Sequence, residues 1–95
     1  MSTLTPELLR DRMNNVPRKL AAGATSGVLN GLQQWPAHVQ IVGAAMVFWR
    51  LCKVLGVQPY DVLGVCNNLF SDGIKPAPEF RAADRYINEI IRKKL

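Results

Sequence analysis

An all-α fold, a compact bundle of four to five short helices, is the architecture this sequence predicts, and three observations carry it. Apolar residues recur three and four apart along nearly the whole chain, strand-like alternation is weak throughout, and Pro and Gly fall where helices start and stop. The length of 95 residues suits one domain, 1–95, because halves of it would be too small to bury useful cores. Hydrophobic residues at 48% and charged residues at 20% are ordinary globular usage, so the chain is expected to fold, with a small margin that a partner could widen.

Thr5, Pro6 and Glu7 form an N-cap, a first-turn proline and an acid set against the helix dipole, which opens a first helix over about 6–14. Asn14, Asn15, Val16 and Pro17 break it, since proline disfavours helical geometry at the residue before it and can itself start a helix. The second helix, to about residue 33, carries Gly23, Gly27 and Gly31 at four-residue spacing. Two readings stay open there: a ridge bare of side chains that lets another backbone approach, or a weakened, partly irregular segment.

Trp35 and Pro36 mark the next break, and a third helix is expected over about 37–55. Gln40, Gly43, Arg50 and Lys53 occupy a limited arc of it, while Ile41, Val42, Ala45, Met46, Phe48, Trp49, Leu51, Cys52 and Leu55 cover most of the circumference. A helix so widely apolar is expected at the centre of the bundle. It could also expose part of that face to a partner. Gly56 is placed as a left-handed C-cap, and Gln58 and Pro59 restart the chain as a short fourth helix with Val62, Leu63, Cys66, Leu69 and Phe70 inward. Residues 71–73 and 75–78 read as a loop. Phe80, Ala83, Ile87, Ile90 and Ile91 then repeat at helical spacing in a fifth helix to the C-terminus, with Glu89 and Lys93 a favourable pair.

Several chemistries lack their residues. One histidine, His38, and two cysteines cannot assemble a closed zinc site, and Cys52 has no acid beside it to support a nucleophile. The carboxylates are accounted for by helix starts, loops and exposed faces, and neither a P-loop nor a dinucleotide fingerprint occurs. The expectation is therefore a non-enzymatic protein with no catalytic residue, no metal site and no cofactor. Cys52 and Cys66, both within apolar helical patterns, are expected to be reduced and buried, which fits a cytoplasmic setting. The N-terminal MSTLTPELLRDR lacks the apolar core of a secretory signal. Residues 39–57 are interrupted by Gln40, Arg50 and Lys53, which disfavours a membrane-spanning reading.

Binding remains, and two surfaces compete for it. The leading expectation is a protein partner of open identity, or a homo-oligomer, taken up by the apolar surplus of the third helix with Trp35, Trp49, Arg50 and Lys53 as candidate binding residues. The alternative is nucleic acid, favoured by the net charge of +5 and by Arg81, Arg85, Asn88, Arg92 and Lys93, which helical spacing sets along one side of the last helix, opposite its apolar row. Arg10, Arg12, Arg18 and Lys19 make a second basic cluster.

Two resemblances bear on this choice. LCKVLGVQPYDVLGV, residues 51–65, resembles the last helical turn of repressors of the lambda-Cro type, in which an apolar helix, Leu-Gly-Val, a polar residue and Pro precede a short helix. The recognition-helix pattern of that family is not found before it, so the likeness implies a helical turn more than DNA binding. In size, basic balance and the ending PEFRAADRYINEII, residues 78–91, the chain is similar to small helical accessory proteins of bacteriophages. That likeness implies binding to a host or phage protein and altering its activity.

Overall fold

Proline and glycine set the helix limits in the computed structural model, which describes residues 5–73 and 75–94. Residues 1–4, part of the stretch read for a targeting signal, lie outside the described residues. Helix α1 spans Pro6–Met13, and the Leu8 N–H donates to the Thr5 hydroxyl oxygen at 3.2 Å, the expected N-cap. Helix α2 spans Arg18–Gly31 with Pro17 just outside it as N-cap, and α3 spans Ala37–Leu55. Gly56, at φ 74°, ends α3 in the left-handed conformation, and a Cβ there would stand 3.2 Å from the Pro6 ring. Helix α4 spans Pro59–Phe70. The all-α bundle predicted from periodicity is the fold.

The stretch read as a loop folds into a minimal antiparallel ladder, β1 (Ser71–Asp72) against β2 (Lys75–Pro76), with Ser71 paired to Pro76 and Gly73 at φ 83° in the turn. The last helical segment is continuous but changes winding. A 3-10 turn at Pro78–Phe80 leads into α5 (Arg81–Tyr86), a π-helical turn follows over Ile87–Ile91, and a 3-10 turn over Arg92–Lys94 completes it.

Helix α2 organises the packing: α4, α5 and the 3-10 turn before α5 all lie against it, and α1 lies against α4. Two small centres of burial result. Ala77 and Phe80 form one, with the Phe80 ring 5.9 Å from that of Phe70; Cys52 and Val57 form the other, at the far end of α3. On α4 the half-buried side chains are Val62, Val65 and Leu69, whereas Leu63 and Cys66 face out and Phe70, 39% exposed, turns one side to Phe80. The expected inward face of α4 is thus rotated, because only one narrow side of this helix meets α1 and α2.

The expectation that α3 sits at the centre is overturned. Only Gln40 and Cys52 of its residues are buried, and no other element packs closely along it. A helix apolar on all sides offers no preferred direction for burial, and the bundle closes around α2 instead. The molecule is correspondingly drawn out, 43 × 30 × 22 Å with a radius of gyration of 14.5 Å. A chain of this length at ordinary density has a radius of about 12 Å.

The glycine row of α2 is also settled. Helix α2 is regular through Gly23, Gly27 and Gly31, and a Cβ on any of them meets nothing within 4 Å, so no second backbone packs on the row within one chain. Gly27→Ala is therefore expected to stabilise the fold by about 1 kcal/mol, the helix-propensity difference with no steric offset. Urea denaturation measures it; a destabilised variant would show that something covers this row.

Arg18, read as part of a basic cluster, has a different task. Its guanidinium donates to the carbonyls of Leu69 at 2.8 Å, Asn68 at 3.2 Å and Ser71 at 3.4 Å, closing the C-terminal end of α4. The Asn68 and Leu69 carbonyls, in the last turn of α4, have no partner within their own helix. Arg18→Ala is expected to cost about 2 kcal/mol in urea denaturation, and Arg18→Lys to recover less than half, because a point charge cannot reproduce the planar fork.

Candidate functional site

The root of α3 is held by a polar cluster that ties three elements together. The Tyr86 hydroxyl donates to the Gln33 side-chain oxygen at 2.6 Å. The Gln33 amide in turn donates to the Leu29 carbonyl at 2.7 Å and to the Gln40 side-chain oxygen at 3.4 Å. Gln40, 8% exposed, then donates to the Trp35 carbonyl at 2.8 Å. No buried side-chain polar atom lacks a partner among the described residues. Gln40 breaks the apolar pattern of the helix, and here its reason is visible: it secures the turn between α2 and α3. Tyr86→Phe should therefore destabilise by about 1–2 kcal/mol, the cost of a lost bond plus an unpaired amide oxygen. A thermal midpoint unchanged from the parent would count against this cluster.

Beyond its root, α3 presents its side chains to solvent. At 100° per residue, Gln40, Ala44, Phe48 and Cys52 make the row turned to the bundle, and all are buried or half-buried. Val39, Val42, Met46 and Trp49 lie on the opposite side with Val47 and Val54 at its edge, while Ile41, Leu51 and Leu55 stand on the bundle side but beyond its cover; every one of these nine is exposed, Ile41 by 70%. An apolar surface this continuous exceeds what scattered surface hydrophobics account for. By length and composition alone, α3 is also the one described helix able to cross a bilayer, though only 11% of that stretch is buried.

The four candidate partner-binding residues divide between the two ends of α3. Trp35 precedes the helix and is 50% exposed; Trp49 is 48% exposed, with the Arg50 guanidinium 5.3 Å from its ring centroid. That distance is in the range of a cation–π contact. Lys53 and Trp49 border a shallow depression over Cys52 and Val57. Trp35 stands outside the helix in a depression with His38, Gln40, Ile91 and Lys94, so it sits at the root beside the C-terminal segment and apart from Trp49.

Beside the root lies a groove of about 530 Å³ between α2, α3 and the π-helical turn. Leu29, Leu32, Ile41, Ala44, Ile87 and Ile91 give it an almost wholly apolar lining. Sequence periodicity missed it, because it exists only where α3 diverges from the C-terminal segment.

The basic side of that segment is arranged differently from the expected stripe. Arg81, Arg85, Asn88, Arg92 and Lys93 are all exposed. Asn88 and Arg92 nevertheless border the apolar groove beside Ile87 and Ile91, rather than standing opposite the apolar row. The wider π turn resets the angle between Arg81/Arg85 and Arg92/Lys93, so helical spacing alone misplaces the later pair. Arg85 pairs with Glu89 at 3.8 Å, and the Asn88 amide donates to the Asp84 carbonyl at 2.9 Å. In the second cluster Arg10 pairs with Asp61 at 3.4 Å, and Arg18 is engaged at α4.

Cys52 is buried as expected, whereas Cys66 is exposed, a consequence of the rotated face of α4; both are free thiols. Among the described residues, no three His, Cys, Asp or Glu side chains come together as a metal site would need. Comparison of the chain with protein-family models, with curated proteins and with solved structures finds no match.

Proposed function

We propose that this chain is a non-enzymatic interaction module whose working surface is the outward apolar face of α3. The observation that carries the reading is that the most apolar helix of the chain is the one its own bundle leaves uncovered. Leaving such a surface in water forgoes about 25 cal/mol for each Å² that a partner would cover. Trp49, with the Arg50 guanidinium near its ring, supplies an amphipathic anchor of the kind that dominates protein interfaces, and Trp35 is exposed at the root of the helix. The likeness to phage accessory proteins implies the same class of role, binding a protein and altering what it does. Two unpaired thiols suit a reducing, cytoplasmic setting.

Nucleic-acid binding through Arg81, Arg85, Asn88, Arg92 and Lys93 is the competing reading, supported by the net charge of +5. Its weight is reduced by the acids set among those cations, Asp84 and Glu89, the latter 3.8 Å from Arg85.

Photo-crosslinking from position 42 and, separately, from position 85 in the expressing cell decides between them. A discrete protein adduct from position 42 and none from position 85 is the expected result. No adduct from position 42 would sink the proposal. So would affinity for duplex DNA that falls about a thousandfold between about 50 and about 200 mM salt and is weakened by Arg85→Ala, the mark of multiple phosphate contacts.

A further inference from the structure

We propose that the partner of α3 is α3 of a second copy, the two helices lying antiparallel with Val39, Val42, Met46 and Trp49 at the seam. This rests on the reading of α3 as the working surface and names its occupant.

The spacing is the first argument. Positions 39, 42, 46, 49 and 53 advance by three, four, three and four residues, the step of a helix that pairs along a heptad seam. The first four are Val, Val, Met and Trp, and all face away from the bundle. Only the fifth, Lys53, is charged, at the end of the row.

Area is the second. The chain exposes 7564 Å² to solvent. A folded monomer of 10.6 kDa exposes about 5,500 Å². The surplus is about 2,000 Å² per copy, whereas a standard interface removes about 800 Å² from each partner, so covering less than half of it would suffice for a stable pair. The longest described helix, 19 residues, is the element on which the exposed apolar side chains concentrate.

Charge and size then choose the direction. Arg50 and Lys53 both lie near the C-terminal end of α3, where a parallel pair would set four cations side by side. An antiparallel pair sends them to opposite ends. It also lays the bulky Met46 and Trp49 of each copy toward the slender Val39 and Val42 of the other, whereas parallel packing would set Trp49 against Trp49. The pairing is isologous, so it closes at two copies.

Sedimentation equilibrium of the full chain reads the stoichiometry. The expected mass is twice 10.6 kDa. Met46→Glu and Val42→Lys, at exposed positions where the helical circular-dichroism spectrum should persist, are each expected to return the single mass. Leu63→Glu, equally exposed but on α4, is expected to leave the dimer intact. Direction is read by a spin label on Lys53→Cys in a Cys66→Ser background, Cys52 being buried. An antiparallel pair places the two labels about 20–30 Å apart and a parallel pair about 10 Å.

A single mass for the parent chain overturns the proposal, as does a dimer that Leu63→Glu dissociates and Met46→Glu does not, or a short label distance. A single-mass chain that floats with vesicles of equal parts phosphatidylcholine and phosphatidylglycerol overturns it in favour of a bilayer. If the chain is monomeric yet position 42 still yields a protein adduct, the second copy is lost and the interaction reading stands. If both fail, α3 is not a docking surface.

Discussion

The hydrogen bonds joining Tyr86, Gln33, Gln40 and the Trp35 carbonyl decide where α3 can go. They lock the corner between α2 and α3 and join it to the C-terminal helical segment, so α3 leaves the bundle in a fixed direction instead of folding back across it. Cys52, Val57 and the close approach of Gly56 to Pro6 secure its other end. Between those points only a narrow row with Ala44 and Phe48 is turned to the bundle, and the exposed apolar face, the groove at its root and the elongated outline accompany that geometry.

Much of this fold was legible in the sequence because its helices are punctuated. Thr5 with Pro6, Pro36, Gly56 and Pro59 each impose a local backbone restriction, and such restrictions act regardless of tertiary context, so the limits of α1, α3 and α4 could be set closely. The apolar surplus of α3, and the outward Trp35 and Trp49, were legible for the same reason: composition shows that a helix has more apolar surface than one core can take.

The disposition of that surplus was not legible. Periodicity identifies a buried face only when the opposite face is polar, and α3 has Val39, Val42 and Met46 on the side away from the bundle as surely as it has Ala44, Phe48 and Cys52 toward it. Gln40 looked like an interruption until its partners on two other elements were placed. Arg18 looked like one of four clustered cations, yet its bonds reach residues some fifty positions away, a separation no local pattern encodes. The π turn was hidden as well, because Ile87, Ile90 and Ile91 satisfy α-helical spacing while the backbone takes a wider coil.

The grip of Arg18 on the end of α4 carries a kinetic consequence. Arg18 and the carbonyls it holds stand fifty to fifty-three residues apart, with α2, α3 and α4 coiled between them, so few of those residues are free to bend when the contact closes. Individual helices of this length form within about a microsecond, whereas this contact can form only after α2 and α4 have met. A chain cut between α2 and α4 would have to bring its two halves together by diffusion before that contact could form.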